Sequence, residues 1–357
     1  MTQNVFRLKY RKARVAISPF CNLNCFYCDG PRARKPGRPG TMEDFRQKPL
    51  TEGVIDSKTF TKIIEALGLV GFKKITLTGG DPLLNPEWDL IVKKSKKKGI
   101  SEVWLTTNGT LLNSYLKKNE HLPKDLDVLV ISLDTFDARR LKQITGSAKI
   151  EPIIKSLKIV RKINPRLRII VNKVMTKQDL KFLPNYIEVC EKIGAINNIN
   201  LLNLILKEPW KKEKKEFFER EFVSAKEIAN FLSKKTGYRF FLDQKYELET
   251  KTPNGTKIII KDTNLTLRTS QCEKCPIYCQ EGFYTIRIAT DGTIRTCIDY
   301  ENKLPFIDGS LELKKGTLVE KLKKIMDIFE RVQLKTTIKE FFKRYNIHLK
   351  RYSQHYK

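Results

Sequence analysis

The cysteines are the residues of this sequence whose type and spacing point most directly to chemistry. Seven of the eight fall into two groups, which are Cys21, Cys25 and Cys28, and then Cys272, Cys275, Cys279 and Cys297. In a reducing compartment, clustered thiols more often bind metal or act in catalysis than form disulfides. We therefore read both groups as candidate metal sites.

The first group has the spacing CxxxCxxC, within SPFCNLNCFYCDG. Zinc sites usually use paired CxxC knuckles, and no histidine lies nearby to complete a tetrahedron. Three thiolates on a [4Fe–4S] cluster leave one iron free to bind a small molecule, while the cluster supplies an electron. A structural zinc remains the alternative for each group.

With Tyr27 at its aromatic position, CNLNCFYC resembles the signature of the radical S-adenosylmethionine (SAM) superfamily. The resemblance implies that Cys21, Cys25 and Cys28 hold a SAM-binding [4Fe–4S] cluster and that Tyr27 belongs to the cofactor site. It also implies an electron donor such as flavodoxin or ferredoxin. The expected chemistry is reductive cleavage of SAM to a 5′-deoxyadenosyl radical, which abstracts a hydrogen atom from a substrate.

Short apolar strands alternate with helices from about residue 13 to residue 206, which is the pattern of a parallel α/β sheet. Six such units are too few for a closed eight-stranded barrel. They suit the open (β/α)6 partial TIM barrel of the family that the cysteine motif resembles, with a C-terminal α+β extension carrying an auxiliary cluster. Such folds place their chemistry at the carboxyl ends of the strands.

Polar turns follow several of these predicted strands. By resemblance to the family's glycine-rich motif, the turn after KITLT contacts the amino group of SAM, and TTNG and SLD contact its carboxylate and ribose. Glycines permit a main-chain approach that side chains would block. The SAM contacts implied in this way are Gly79, Gly80, Asp81, Pro82, Thr107, Asn108 and Ser132.

Together with the segment Ile144 to Gly146, these motifs resemble the GTP 3′,8-cyclase branch of the superfamily, which acts in molybdenum-cofactor biosynthesis. The substrate residues carried over from that branch are Arg14, Lys74, Asn172 and Arg287. Three features depart from it: Ile170 and Thr285 replace basic residues, and the chain ends in RYSQHYK rather than a glycine pair. We therefore expect a diverged relative that acts on a nucleotide or another phosphorylated small molecule.

The second cysteine group also resembles that branch. YTIRIATDGTIRTC reads as a hairpin that turns at Asp291 and Gly292, and Cys297 matches the last ligand of the cyclases' second cluster. Cys272, Cys275 and Cys279 are displaced upstream of the family's CxxC position. We predict a second [4Fe–4S] cluster with three or four cysteine ligands.

The charge balance is 69 basic against 40 acidic residues, a net charge of +29 that favours an anionic partner. RNA is a less favoured partner, because no RNA-binding motif is visible. Three scattered histidines argue against a histidine-based hydrolase. No apolar run is long enough to span a membrane, so we expect a cytoplasmic protein, and the oligomeric state is left open.

We predict three segments: a radical SAM partial barrel at 1–206, a charged linker and extension at 207–265, and an auxiliary iron–sulfur region with basic C-terminal helices at 266–357. The charged stretch KEPWKKEKKEFFER is expected to be a solvated helix or linker. An authentic GTP 3′,8-cyclase and a peptide-modifying enzyme with an auxiliary cluster are the competing enzymes. A non-catalytic iron–sulfur or nucleic-acid-binding protein would not need polar turns after its strands.

Overall fold

The structure is a computed structural model, and it describes residues 12–28, 54–96, 98–146, 149–206, 211–242, 247–261, 286–290, 294–295 and 318–324. Cys272, Cys275, Cys279 and Cys297 lie outside the described residues, as do Thr285, the turn at 291–292 and the C-terminal RYSQHYK. In the described part of the chain, no helix is both long enough and apolar enough to cross a membrane.

One sheet runs through the described residues in the order β11-β10-β1-β2-β3-β4-β5-β6-β9-β8-β7. Its strands are β1 (Lys12–Ser18), β2 (Lys74–Gly79), β3 (Glu102–Thr107), β4 (Val128–Ser132), β5 (Arg168–Val174), β6 (Asn198–Leu202), β7 (Phe241–Leu242), β8 (Leu248–Lys251), β9 (Lys257–Lys261), β10 (Ile286–Ile288) and β11 (Ile294–Arg295). Strands β1 to β6 pair in parallel, and β10 and β9 add parallel strands on either side. The sheet begins at β11 and ends at β7 without closing.

Helices connect the parallel strands, as the alternating pattern predicts. They are α1 (Ser57–Leu69), α2 (Trp88–Lys96), α3 (Leu112–Asn119), α4 (Ala138–Thr145), α5 (Ile150–Ile163), α6 (Leu183–Ile193), α7 (Lys212–Glu221) and α8 (Ala225–Thr236). This open α/β sheet confirms the predicted fold class of an unclosed, partial TIM barrel.

The connection that follows β5 has two helical parts. Its first part is a 3-10 helix, Lys177–Phe182, which begins with a capping box between Thr176 and Asp179. The α-helix starts only at Leu183, with Pro184 in its first turn. Proline is tolerated there because the first-turn N–H groups have no partner within the helix.

The two faces of the sheet differ in composition. On the face toward the helices, Val15, Leu77, Leu105 and Ile131 are fully buried in one continuous apolar core. The opposite face, here called the concave face, carries polar and basic residues from the alternate positions of the strands. A separate small apolar cluster on this face consists of Val128, Val130 and Ile170 with Trp104 against them.

Strands from all three predicted segments belong to this one sheet. Strands β7 to β9 continue it beyond β6, and β10 and β11 extend it beyond β1. The predicted boundaries at 206 and 265 stay a prediction about domains.

Candidate functional site

The first cysteine group lies on the loop that follows β1, here called the cysteine loop (residues 19–28). Cys21 and Cys25 are half-buried and Cys28 is exposed, and within the described residues none of the three forms a disulfide. The N–H of Cys28 donates to the carbonyl oxygen of Cys25 at 3.0 Å, which closes a tight turn between these two ligand candidates.

The backbone of the cysteine loop is fixed to the end of α4. The N–H of Asn24 donates to the carbonyl of Thr145 at 2.9 Å, and that of Phe26 donates to the carbonyl of Ile144 at 3.2 Å. The last carbonyls of a helix have no partner within it, so they are available to anchor a loop. The segment Ile144 to Gly146 therefore has a structural part in holding the loop.

The two glycines after β2 touch the cysteine loop directly. The N–H of Gly80 donates to the carbonyl of Ser18 at 2.8 Å, and that of Asp81 donates to the carbonyl of Phe20 at 2.5 Å. A Cβ on Gly79 would lie 2.1 Å from the Ser18 oxygen, and one on Gly80 would lie 2.0 Å from the Phe20 oxygen. The close main-chain approach expected of these glycines is made here by the cysteine loop, and their contact with SAM stays a prediction.

Asp81 joins the ends of β2 and β3 from a buried position. Its carboxylate accepts hydrogen bonds from the hydroxyl of Thr107 at 2.8 Å, the N–H of Asn108 at 2.8 Å and the N–H of Leu83 at 3.0 Å. Burial raises the pKa of Asp81 to about 6, although the three donors favour its charged form. Pro82 follows at the start of a short 3-10 helix.

Asn108 links the turn after β3 to the cysteine loop. Its side-chain amide donates to the Asn22 side chain at 2.8 Å and lies 3.8 Å from the Cys21 sulfur. The Asn22 amide donates in turn to the hydroxyl of Thr110 at 2.8 Å. The structure thus brings Asn108 beside Cys21, and the predicted contact of Thr107 and Asn108 with SAM stays a prediction.

Tyr27 and Asp134 form a further link between the loop and the sheet. The Tyr27 hydroxyl donates to the Asp134 carboxylate, which also accepts from the N–H of Val174 at 2.6 Å. Burial and the neighbouring Asp134 raise the pKa of Tyr27 well above its usual value. Burial also raises the pKa of Asp134, against the opposing charge of Lys173.

Helix α7 covers part of the cysteine loop, which the sequence analysis missed. The ring of Phe217 meets the ring of Phe26 edge-on, with centroids 4.9 Å apart, and the Lys214 ammonium lies 3.4 Å from the Phe26 carbonyl. Only the paired phenylalanines within the charged stretch KEKKEFFERE could have indicated an apolar contact. Most of this helix is exposed, as predicted for a solvated mixed-charge helix, and the contact of Phe217 with the cysteine loop is the feature that the prediction lacks.

A polar row crosses three strands near their carboxyl ends. Ser132, Asn172 and Asn200 are paired in register on β4, β5 and β6. Ser132 is exposed and Asn200 is buried. The Asn200 amide donates to the Asn172 side-chain oxygen at 2.8 Å, which leaves the Asn200 side-chain oxygen buried without a partner.

The predicted substrate residues Arg14 and Arg287 are nearest neighbours on adjacent strands. Arg14 pairs in register with Arg287 on β10 and with Thr76 on β2, and the buried Thr76 hydroxyl has no partner in the part of the chain that the structure describes. Lys74 lies one strand repeat nearer the amino ends and forms an ion pair with Glu102 at 2.6 Å. Arg168 also pairs with Glu102. Lys74 is therefore separated from the two arginines and partly neutralised.

The chemistry of the cysteine loop fits an iron–sulfur cluster. Within the described residues, no three Cys, His, Asp or Glu side chains surround a single point as the ligands of one metal ion would. Each thiolate of a four-iron cluster binds a different iron, so the ligands of a cluster lie farther apart than those of a zinc ion. Three cysteines on one short loop could supply three of these ligands.

Residues 15–183 match the sequence profile of the radical SAM superfamily. A probable GTP 3′,8-cyclase of Methanococcus maripaludis (strain C6) is 32% identical over 56% of this chain and 60% of its own length. A second from Methanocaldococcus jannaschii is 28% identical over 88% of this chain and 93% of its own length. The chain therefore spans less than two thirds of some curated relatives and nearly the whole of others.

Two solved structures have a similar fold. Streptococcus suis SuiB bound to the precursor peptide SuiA has a TM-score of 0.53 at 15% identity, covering 87% of this chain and 67% of that one. Native anSMEcpe with bound AdoMet and the Kp18Cys peptide has a TM-score of 0.54 at 14% identity, covering 90% and 84%. At these identities, the likeness supports the fold alone.

Proposed function

We propose that this chain, which matches the radical SAM profile over residues 15–183 and is similar to probable GTP 3′,8-cyclases, is a radical SAM enzyme. Its proposed reaction takes a hydrogen atom from a nucleotide or another phosphorylated small molecule on the concave face. In this proposal Cys21, Cys25 and Cys28 hold a [4Fe–4S] cluster. When bound, that cluster and SAM supply the 5′-deoxyadenosyl radical, with the electron coming from a flavodoxin or ferredoxin. The turns at 79–82 and 107–108, with Ser132, then contact SAM.

The pairing of Arg14 with Arg287 is the observation that carries the choice of substrate. Two guanidinium groups on the same face of adjacent strands suit a phosphate, because arginine binds phosphate oxygens through two parallel hydrogen bonds. Thr76 and Asn200 each have a buried oxygen without a partner on that face. Since unpaired buried polar atoms are costly, these two favour a polar ligand.

The surroundings of Ile170 favour a relative with a diverged substrate over an unchanged GTP cyclase. In the cyclases that this sequence resembles, a lysine stands at this position, and here Ile170 packs with Val128 and Val130. Unlike a lysine, the side chains of Ile170, Val128 and Val130 have no group that could bind phosphate. GTP is still the first compound to test, because the curated relatives are named probable GTP 3′,8-cyclases.

The second cysteine group belongs to the same proposal. We expect Cys272, Cys275, Cys279 and Cys297 to hold a second [4Fe–4S] cluster, which would bring the iron content to about eight per chain. Stoichiometric zinc that persists through anaerobic reconstitution would contradict this assignment.

The test is to reconstitute the protein anaerobically and measure 5′-deoxyadenosine formed from SAM with GTP, other nucleotides, sugar phosphates and peptides. Arg14→Ala should raise the apparent KM for the active compound roughly tenfold, with uncoupled SAM cleavage unchanged. Arg168→Ala is the matched control, since Arg168 pairs with Glu102 near the amino ends. Turnover of an uncharged peptide that Arg14→Ala leaves unaffected would replace this proposal with the peptide-modifying one.

A further inference from the structure

Tyr27 lies between two of the cluster-ligand candidates, and its side chain forms a hydrogen bond with a residue outside the cysteine loop. It follows Cys25 by two residues and directly precedes Cys28, and its hydroxyl donates to Asp134 after β4. The described backbone bonds from the loop to α4 come earlier, from Asn24 and Phe26. The bond from Tyr27 is thus placed to fix the Cys28 side of the loop.

Asp134 is itself held in one position by β5. One carboxylate oxygen accepts from the N–H of Val174 at 2.6 Å, and the other accepts from Tyr27. The buried ammonium of Lys173 donates to the main-chain oxygen of Asp134 and lies 3.6 Å from the Asp179 carboxylate. A buried carboxylate with both oxygens bonded forms a rigid acceptor, because leaving either partner unpaired would cost free energy.

The neighbouring Tyr186 offers a contrast on the same structural background. Its hydroxyl is also buried, and it donates to the main-chain oxygen of Leu133 at 2.6 Å. Leu133 directly precedes Asp134, so the two tyrosines bond to adjacent residues. Tyr186 lies on α6, whereas Tyr27 lies on the cysteine loop.

We propose that Asp134 is a positioning residue which, through Tyr27, holds Cys25 and Cys28 in the conformation that takes up and retains the iron–sulfur cluster. The proposal rests on the cysteine loop being the cluster site. It assigns to Asp134 an action on the loop, not a contact with the reacting atoms. Removing either partner should therefore loosen the same two thiols.

The experiment compares Tyr27→Phe, Asp134→Asn and the double variant with wild type after anaerobic reconstitution. The cluster on the cysteine loop is identified as the one whose EPR spectrum changes when SAM is added. The measured quantity is the rate at which an iron chelator removes that cluster. We expect each single variant to lose that cluster roughly fivefold to tenfold faster, and the double variant to be no faster than the singles. Tyr186→Phe should match wild type in this rate, even where its melting temperature falls.

Several results would overturn the proposal. The proposal fails if Tyr27→Phe loses the cluster at the wild-type rate. It also fails if the two substitutions have additive effects on that rate in the double variant, or if Tyr186→Phe accelerates the loss equally. Should Asp134→Asn fail to fold, or keep the link by donating its amide N–H to the Tyr27 oxygen, Tyr27→Phe decides alone by removing one hydroxyl. A wild-type protein without any SAM-responsive cluster would instead contradict the proposed function itself.

Discussion

Around the cysteine loop, the buried polar groups of Asp81, Thr107 and Asp134 have hydrogen-bond partners. On the concave face, Thr76 and Asn200 each keep a buried oxygen that has no partner among the described residues. The first region is complete before any ligand binds. The second keeps polar groups that a ligand could satisfy, at a cost to the free protein. Under the proposed function, this difference predicts a cofactor end that is pre-organised and a substrate face that is completed by binding.

Loss of the loop thiols is the largest effect that this comparison predicts. Replacing Cys21, Cys25 or Cys28 with Ala should abolish SAM cleavage and remove about half of the iron, because each thiolate holds the first cluster. Iron analysis and 5′-deoxyadenosine formation measure both outcomes. Cys190→Ala, at a buried thiol whose pKa burial raises to about 12, should keep the iron and the activity. If these three variants kept the full iron content of wild type, the first cluster could not be held by the cysteine loop.

Gly80→Ala should disrupt the contact between the β2 turn and the cysteine loop. The new Cβ would lie 2.0 Å from the Phe20 main-chain oxygen. Because that atom belongs to the backbone, a side-chain rotation cannot relieve the clash and the backbone itself must move. We expect a destabilisation of about 3 kcal/mol or more, and poor cluster retention. Gly99→Ala is the control, since its Cβ meets no atom within 4 Å and its positive φ alone should cost about 1 kcal/mol. Urea unfolding compares the two, and equal losses would show that the close approach is unimportant.

The buried Asp81 should make stability depend on pH. Its pKa rises from 3.8 in the unfolded chain to about 6 in the fold, so the folded form binds the proton more tightly. The contribution is therefore favourable below pH 4 and is lost as the pH rises toward 6, by up to about 3 kcal/mol. Asp81→Asn should flatten that part of the curve of unfolding free energy against pH. An unchanged curve would show that folding leaves the pKa of Asp81 near its ordinary value.

Thr107→Val and Thr76→Val compare a buried hydroxyl that has a hydrogen-bond partner with one that has none among the described residues. Both threonines are 2% exposed and lie on adjacent strands, but only the Thr107 hydroxyl has a partner, Asp81. Thr107→Val should destabilise the protein by about 1–2 kcal/mol, while Thr76→Val should leave it unchanged or slightly more stable. Chemical denaturation measures both. Thr76→Val should still raise the KM of the substrate, and a destabilised Thr76→Val would mean that this hydroxyl already has a partner.

The sequence predicts best what depends on local pattern. The alternation of strands and helices and the grouping of Cys21, Cys25 and Cys28 on a loop after β1 follow from periodicity and spacing alone. The cap of α1 by Asp56 and the end of α6 at Gly194 are likewise local features.

Contacts between distant segments were not predictable in the same way. Nothing in the sequence joins Tyr27 to Asp134 or Phe217 to Phe26, because these pairs meet only once the sheet has fixed the positions of their loops. The motif Gly79-Gly80 predicted a close approach of the main chain, but not that the cysteine loop would make it. Similarly, the burial of Asp81 and the pairing of Lys74 with Glu102 depend on neighbours from other strands.

Transfer of a labelled hydrogen atom to SAM-derived 5′-deoxyadenosine is the most direct test of whether the protein takes a hydrogen atom from a phosphorylated substrate. Anaerobically reconstituted protein would be given SAM, a reductant and GTP deuterated in its ribose, followed by other deuterated phosphorylated compounds, and the 5′-deoxyadenosine would be analysed by mass spectrometry. Our account predicts 5′-deoxyadenosine that carries one deuterium from a phosphorylated substrate, with much lower yield at limiting substrate in Arg14→Ala. Deuterium transfer from a labelled peptide, with none from any phosphorylated compound, would contradict it.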